Sequence, residues 1–264
     1  MKNILIIGCG LLGSSLLRSI KRKKIAKKIF IYEKSKKNIL KIKKLNLSGK
    51  IIKSLKEGVT NSDLIIFCTP MSEYKNIILK INKFVLPNCL ITDIGSSKIE
   101  SSKIIKKFLK KGISWVPSHP IAGSEVTGPE HGKSNMFVNR WCILIKEKNT
   151  KIKHLNILKK FWKKNGSRIV VMTSEKHDKI FSMTSHLPHL VAYNLIKSAQ
   201  EFEKKQNYEL IKYSAGGLRD FSRIAASNEI MWRDIFFNNK INITKAINLF
   251  IKNLTAFKKD INSK

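Results

Sequence analysis

His119 stands directly before Pro120, and Ile121-Ala122-Gly123-Ser124 follows. Proline holds the residue before it extended, so this imidazole is set rigidly just after a short apolar run, Trp115-Val116. A group so held suits general-base work near neutral pH; the plainer alternative is a loop histidine that caps backbone groups. Ser96, Lys98 and Ser124 are further candidates near the same strand ends. Later in the chain, Gly216-Gly217-Leu218-Arg219-Asp220-Phe221-Ser222-Arg223 carries two arginines four residues apart. On a helix they share a face, and guanidinium forks match carboxylates, so a substrate with two carboxylates would suit them. Ser185-His186-Leu187-Pro188-His189 sets two histidines three apart around a proline inside a helical pattern. A kink is expected there. Neither a carboxylate nor a cysteine accompanies the two histidines at ligand spacing, so no metal site is expected.

A cofactor seat is written at the start of the chain. The apolar run Ile4 to Ile7 breaks into Gly8-Cys9-Gly10-Leu11-Leu12-Gly13, a G-x-G-x-x-G turn at the start of a helical segment. Twenty residues after Gly13, Glu33 ends a second apolar run, Ile29 to Tyr32. This strand, turn, helix, strand and acid layout is a dinucleotide-binding fingerprint. Gly8 allows the tight turn, Gly10 lets backbone approach a pyrophosphate at the helix N-terminus, and Gly13 lets helix and strand pack. Leu11 and Leu12 belong to the same seat. Glu33 favours NAD, because a carboxylate accepts from the ribose 2′-hydroxyl and repels a 2′-phosphate. Lys34, Lys36 and Lys37 could hold that phosphate and leave NADP open.

The elements that must position these groups follow from apolar patterning. Leu64 to Pro70, Cys89 to Gly95 and Trp115-Val116 read as buried parallel strands, with helical patterns over 72–84 and 101–111 between them. Ligands of such sheets sit beyond the carboxyl ends of the strands, which puts Thr69, Pro70 and Ser96 with the cofactor. Arg140 to Ile145 and Arg168 to Met172 read as two more strands, joined by a helix over 152–165. Past Met172 only helical patterns remain: 174–204, 224–237, and a last helix. That last helix spaces Ile243, Ile247, Phe250, Leu254, Phe257 and Ile261 by alternating fours and threes. Such a seam serves either core packing or a helix–helix interface between subunits. The expected architecture is a doubly wound α/β (Rossmann-like) domain over 1–173 and an all-helical domain over 174–264.

The formal net charge is +34, which raises nucleic acid as a partner. Of the 52 basic residues only seven are arginine, and the lysines are spread along the whole chain. Base and phosphate recognition leans on arginine's fork, so the charge reads as a solvated surface that attracts anionic substrates. The four cysteines are scattered without a C-x-x-C, which points to a reducing cytoplasm rather than a disulfide framework. No stretch has the ~18–20 apolar residues of a membrane span, and the N-terminal run is too short for a signal peptide.

Taken together, the glycine turn with Ser14-Ser15, Asp93-Ile94-Gly95-Ser96-Ser97-Lys98, His119-Pro120-Ile121-Ala122-Gly123-Ser124-Glu125, Ser185 to His189, Gly216 to Ala225 and Met231-Trp232-Arg233-Asp234 resemble the prephenate/arogenate dehydrogenase family of tyrosine biosynthesis. The segments come in the family's order and span nearly the whole chain. Departures are Ser222, where threonine is common, and Asn228-Glu229, where Asp-Pro is common. The resemblance implies a nucleotide-binding domain and a helical dimerisation domain, hence a homodimer. Neither a fused chorismate mutase nor an ACT-type module is expected. The implied reaction is NAD-dependent oxidative decarboxylation of prephenate, with His119 taking the hydroxyl proton and Ser96 bonding the same hydroxyl or the nicotinamide side. By the same resemblance, Arg223 pairs a substrate carboxylate and His189 and Arg219 line the substrate site. Trp232 closes that site, from the partner subunit in one version, and Glu125 gates it by pairing with an arginine when it is empty. Arogenate is the rival substrate. A further rival, a β-hydroxyacid-type dehydrogenase, would place a lysine where Ser185 to His189 stand. A nucleic-acid-binding protein with a vestigial cofactor fold is the rival from another class.

Overall fold

Aliphatic runs with few charges form strands when both their faces are covered. The computed structural model describes residues 2–207, 209 and 211–263. Its first unit alternates β1 (Asn3–Ile7), α1 (Leu11–Arg22), β2 (Lys28–Tyr32), α2 (Lys36–Lys44), β3 (Lys50–Ile51), α3 (Leu55–Thr60), β4 (Leu64–Phe67), α4 (Tyr74–Ile81), β5 (Leu90–Asp93), α5 (Ile99–Phe108) and β6 (Ser114–Trp115). These strands are all parallel, in the order β3-β2-β1-β4-β5-β6. That is the order of a doubly wound dinucleotide-binding sheet. The order reverses between β1 and β4, whose carboxyl ends therefore open a crevice. Ile4, Leu5, Ile6 and Leu64 to Phe67 are fully buried at the centre.

A second sheet follows, made of β7 (Ser118–Pro120), β8 (Trp141–Ile145) and β9 (Arg168–Met172), with α6 (Ile152–Lys164) between β8 and β9. β7 runs antiparallel to β8, pairing His119 with Ile143, while β8 and β9 are parallel. His119 is therefore not a loop residue at the end of a strand but the middle of a short edge strand. Pro117 separates β6 from β7. It cannot donate to a ladder, and its carbonyl accepts from Ile145 N at 3.0 Å, which starts the new pairing.

The chain divides into two compact units, one running through His177 and the other starting at Asp178. The helices after β9 are α7 (Ser174–Phe181), α8 (Leu187–Gln206), α9 (Gly216–Ala225), α10 (Glu229–Asn238) and α11 (Lys240–Asn262). Two helical readings are corrected. The stretch over 174–204 is interrupted by a π-helical turn, Ser182–His186, so Pro188 lies in the first turn of α8. There its missing N–H costs nothing, and the wide turn takes the place of the expected kink. The stretch over 224–237 is two helices. Asn228 caps α10 by accepting from Met231 N at 2.9 Å, which ends one helix and starts the next. On α11 only Ile243 and Ala246 are buried. Phe250, Leu254, Phe257 and Ile261 are exposed within the single chain, at 39%, 57%, 66% and 75%, so most of the seam is not covered by the chain's own core.

Cysteines fill gaps in the first unit's core. Burial pushes Cys9 and Cys89 from an ordinary 9.0 up to about 12, and holds Cys142 well above its usual range. A raised folded-state value means that the native state keeps protons which the unfolded thiols release. The stabilisation is full below pH 9.0 and is lost as pH rises toward about 12. Alkylation of Cys9, Cys89 and Cys142 at pH ~8, read by mass, is expected to be negligible in the native protein and rapid in denaturant.

Candidate active site

The glycine turn separates what the protein needs from what a ligand needs. Gly8 has φ +89°, and a Cβ on it would lie 2.8 Å from Cys68 O. A Cβ on Gly13 would lie 2.2 Å from Gly8 O. Both glycines are required by packing. Around Gly10 no atom comes within 4 Å of the Cβ position, so its bareness serves no packing and leaves backbone open to an approaching group. Gly10 caps α1 without a side-chain bond, and the first turn carries no acid. Its unsatisfied N–H groups form an anion seat.

Glu33, directly after β2, is clamped to this turn. Its Oε2 accepts from Cys9 N at 2.8 Å and its Oε1 from Ser35 N at 2.9 Å. Lys34 is drawn away to Glu73, 2.6 Å distant, which weakens its case as a 2′-phosphate ligand. Thr69 follows β4 beside Gly8, and its Oγ1 is buried without a hydrogen-bond partner among the described residues. Pro70 is exposed next to it. An open backbone at Gly10, a fixed acid and an unanswered hydroxyl fit a dinucleotide. Leu11 and Leu12 are half-buried in the first turn of α1.

Beyond β5 the chemistry is set by a buried ion pair. Lys98 and Asp93 are both fully buried and 2.7 Å apart. Asp93 Oδ2 also accepts from Tyr74 Oη at 2.9 Å and Gly95 N at 3.0 Å, and Oδ1 from Ser118 N at 3.2 Å. Lys98 Nζ donates in addition to Ser118 O at 2.7 Å. Ser118 Oγ spends its proton on Asp93 O at 2.5 Å, so Thr92 Oγ1, 3.2 Å away, is the donor to it, as is Trp162 Nε1 at 3.2 Å. The loop bearing half-buried Ser96 and the strand bearing His119 are thus tied to one pair of charges. Burial and the adjoining Asp93 charge hold the Tyr74 phenol well above its usual range.

Alternation along β7 turns His119 away from the side where Ser118 is bound. His119 is 9% exposed. Its Nδ1 lies 2.8 Å from Nε2 of the fully buried His177, with ring planes at 58°. Glu125 is half-buried and Ser124 exposed in the loop that follows β7. That loop returns to the cofactor helix, where Pro129 O accepts from Arg18 at 3.0 Å and Ser15 Oγ accepts from Lys133 N at 3.0 Å.

In the second unit, His189 stacks on Trp232 with ring centres 3.6 Å apart and planes at 21°. His189 Nδ1 lies 3.0 Å from Ser185 O, so Nδ1 is the donor. Asn239 Nδ2 donates to Asp178 O at 2.8 Å and to His186 Nδ1 at 3.1 Å, while Asn239 Oδ1 accepts from Asn242 at 2.8 Å. His186 Nδ1 is therefore an acceptor, which keeps that ring uncharged. Trp232 Nε1 is buried and meets no acceptor among the described residues. Arg219 and Arg223 lie on the exposed face of α9, which packs against α8.

Comparison with known proteins bears on the family and the fold. Residues 16–171 match the model of the prephenate dehydrogenase nucleotide-binding domain, and residues 173–264 that of the prephenate dehydrogenase dimerization domain. The chain belongs to the prephenate dehydrogenase family. It is 33% identical to a cyclohexadienyl dehydrogenase of Zymomonas mobilis, over 99% of this chain and 89% of the relative. It is 31% identical to a prephenate dehydrogenase of Bacillus subtilis, over 95% of this chain and 68% of the relative. The crystal structure of an Aquifex aeolicus prephenate dehydrogenase, in complex with hydroxyphenyl propionate and NAD+, matches with a TM-score of 0.92 at 33% identity, covering 100% of this chain and 91% of that one.

Within this family member, the cofactor candidates and Ser96 line the carboxyl ends of β1, β2, β4 and β5. His189 and Trp232 are brought into contact. Sequence reasoning missed His177, Asp93, Tyr74 and Asn239. Only Asp93 and Lys98 left a signal, as charges bracketing an otherwise apolar and small-residue stretch. Replacing Lys98 with Met leaves Asp93 buried and uncompensated, at a cost of about 3–5 kcal/mol. The expected result is a large fall in the unfolding midpoint, measured by calorimetry.

Proposed function

We propose that the chain oxidatively decarboxylates prephenate, with NAD as hydride acceptor, to give 4-hydroxyphenylpyruvate and carbon dioxide. The observation that carries the proposal is His119, an imidazole held by a hydrogen bond at Nδ1 beside a cofactor sheet. When bound, NAD supplies an oxidised nicotinamide that accepts hydride from the ring carbon bearing the hydroxyl. This chain's residues do the rest. Gly8, Gly10, Leu11, Leu12, Gly13, Thr69 and Pro70 seat the dinucleotide, and Glu33 binds its ribose. Ser96 donates to the substrate hydroxyl. His119 Nε2 takes the hydroxyl proton, and the O–H electrons become the second bond to the ring carbon as hydride departs. Loss of the ring carboxylate as carbon dioxide returns its bonding pair to the ring, which becomes aromatic, and the ring oxygen takes back the proton held by His119. Arg223 and Arg219 pair the carboxylates, His189 and Trp232 line the ring's site, and Glu125 gates it.

In this reading residues 1–173 hold the cofactor and residues 174–264 carry substrate contacts and the subunit interface. The apolar seam of α11, exposed in the single chain, is covered in a homodimer. The lysine-rich surface draws in a dianionic substrate rather than nucleic acid. The four free cysteines, of which Cys9, Cys89 and Cys142 are buried, support a reducing, cytoplasmic setting.

His119→Asn is expected to keep substrate affinity while turnover falls by about 10²–10⁴-fold. Near-normal turnover in that variant removes His119 from the base role. Arogenate, with an amine where prephenate has a keto group, is the alternative substrate. Activity on arogenate with none on prephenate overturns the preference stated here.

A further inference from the structure

We propose that His177 is a positioning residue that sets the tautomer of His119 and steadies the imidazolium formed when His119 accepts a proton. His177's role rests on the base assignment for His119 made above. The two rings meet through Nδ1 of His119 and Nε2 of His177, 2.8 Å apart. One of the two nitrogens must carry the proton. A base that works through Nε2 has its own proton on Nδ1, so His177 Nε2 is the acceptor and His177 carries its proton on Nδ1. This arrangement puts the lone pair of His119 on Nε2. After proton transfer the Nδ1–H bond persists and becomes charge-assisted. An acceptor behind the base is the logic of a catalytic triad, here with a neutral third ring.

His177 is fixed well enough to act in this way. It is fully buried in the first turn of α7, and its N donates to Thr173 O at 3.0 Å. The turn is anchored by Glu147, whose Oε1 accepts from Ser174 N at 3.0 Å and Ser174 Oγ at 2.6 Å. The helix bearing His177 is thereby pinned to the loop that follows β8, and β8 pairs with the strand bearing His119. Charged and titratable groups stand on the elements around the pair. Lys98 is neutralised by Asp93 on the far side of Ser118. The Cys142 thiol of β8 is kept protonated by burial. Glu147 is engaged at the helix start, and Asp178 is the next residue, itself buried. A second positive charge on His177 would oppose protonation of His119, so His177 works uncharged.

Two variants and a cycle test this in the full-length enzyme with saturating NAD. His177→Leu removes the acceptor while keeping bulk; His177→Gln offers an amide oxygen in its place. Binding of NAD, read by fluorescence, reports that each variant is folded. His177→Leu is expected to lower kcat by about 10²-fold with KM changed little, and to move the acid limb of kcat/KM to lower pH by about one unit. His177→Gln is expected to restore the limb and most of kcat. In a His119→Asn background, His177→Leu should cause no further loss, because its effect passes through His119. A merely structural role moves KM and stability but leaves the acid limb in place, and that result overturns the proposal. So does a limb that moves to higher pH, which marks His177 as a cation, and so does an additive loss in the double variant. If His119→Asn alone turns over normally, the base assignment itself fails, a result distinguishable from failure of the positioning role alone.

Discussion

The buried Asp93–Lys98 pair is the constraint on which the catalytic geometry hangs. Two charges with no exposure are stable only if their remaining bonding capacity is met, and here the answering groups come from four elements: Tyr74 of α4, Gly95 after β5, Ser118 of β7 and, through Ser118, Trp162 of α6. Satisfying the pair therefore fixes the end of the parallel sheet against the start of the second sheet. His119 follows Ser118 directly, so the orientation of its ring depends on the network that holds its neighbour. A hydrophobic pair could give equal stability, but it would not specify which backbone atoms meet.

The glycine turn is shaped in a different way. Gly8 and Gly13 are forced by backbone contacts within the protein, whereas the space at Gly10 is filled by nothing in the chain. Glu33 is held on the turn by Cys9 N, so the acid's place is set by the protein's own backbone. In the second unit, the π-helical turn and Asn239 do comparable work for His186, and the stack on Trp232 does it for His189.

Much of this was legible in the sequence where local rules decide. The G-x-G-x-x-G turn, its acid and the apolar runs foretell the parallel sheet because strand burial and helix-start chemistry are local. The helical texture after Met172 is legible for the same reason. What escaped is non-local. His177 sits in Glu175-Lys176-His177-Asp178, a stretch with no motif, and its meaning comes only from a partner 58 residues earlier. β7 was hidden because three residues carry no periodicity. Pro188 signalled a kink, since a sequence cannot show that a π-helical turn will move proline into a first turn. The seam on α11 left core and interface equally open; the single chain leaves Phe250, Leu254, Phe257 and Ile261 exposed, so its own core does not cover them.

The central question is whether this chain turns a cyclohexadienol into an aromatic product at the expense of an oxidised nicotinamide. The direct measurement is the stoichiometry of reduced cofactor and carbon dioxide formed by the purified protein from prephenate, with NAD and with NADP in parallel. One equivalent of each per prephenate consumed, with NAD preferred, is the result the structure predicts. Consumption of neither substrate, or reduced cofactor formed without carbon dioxide, would contradict it.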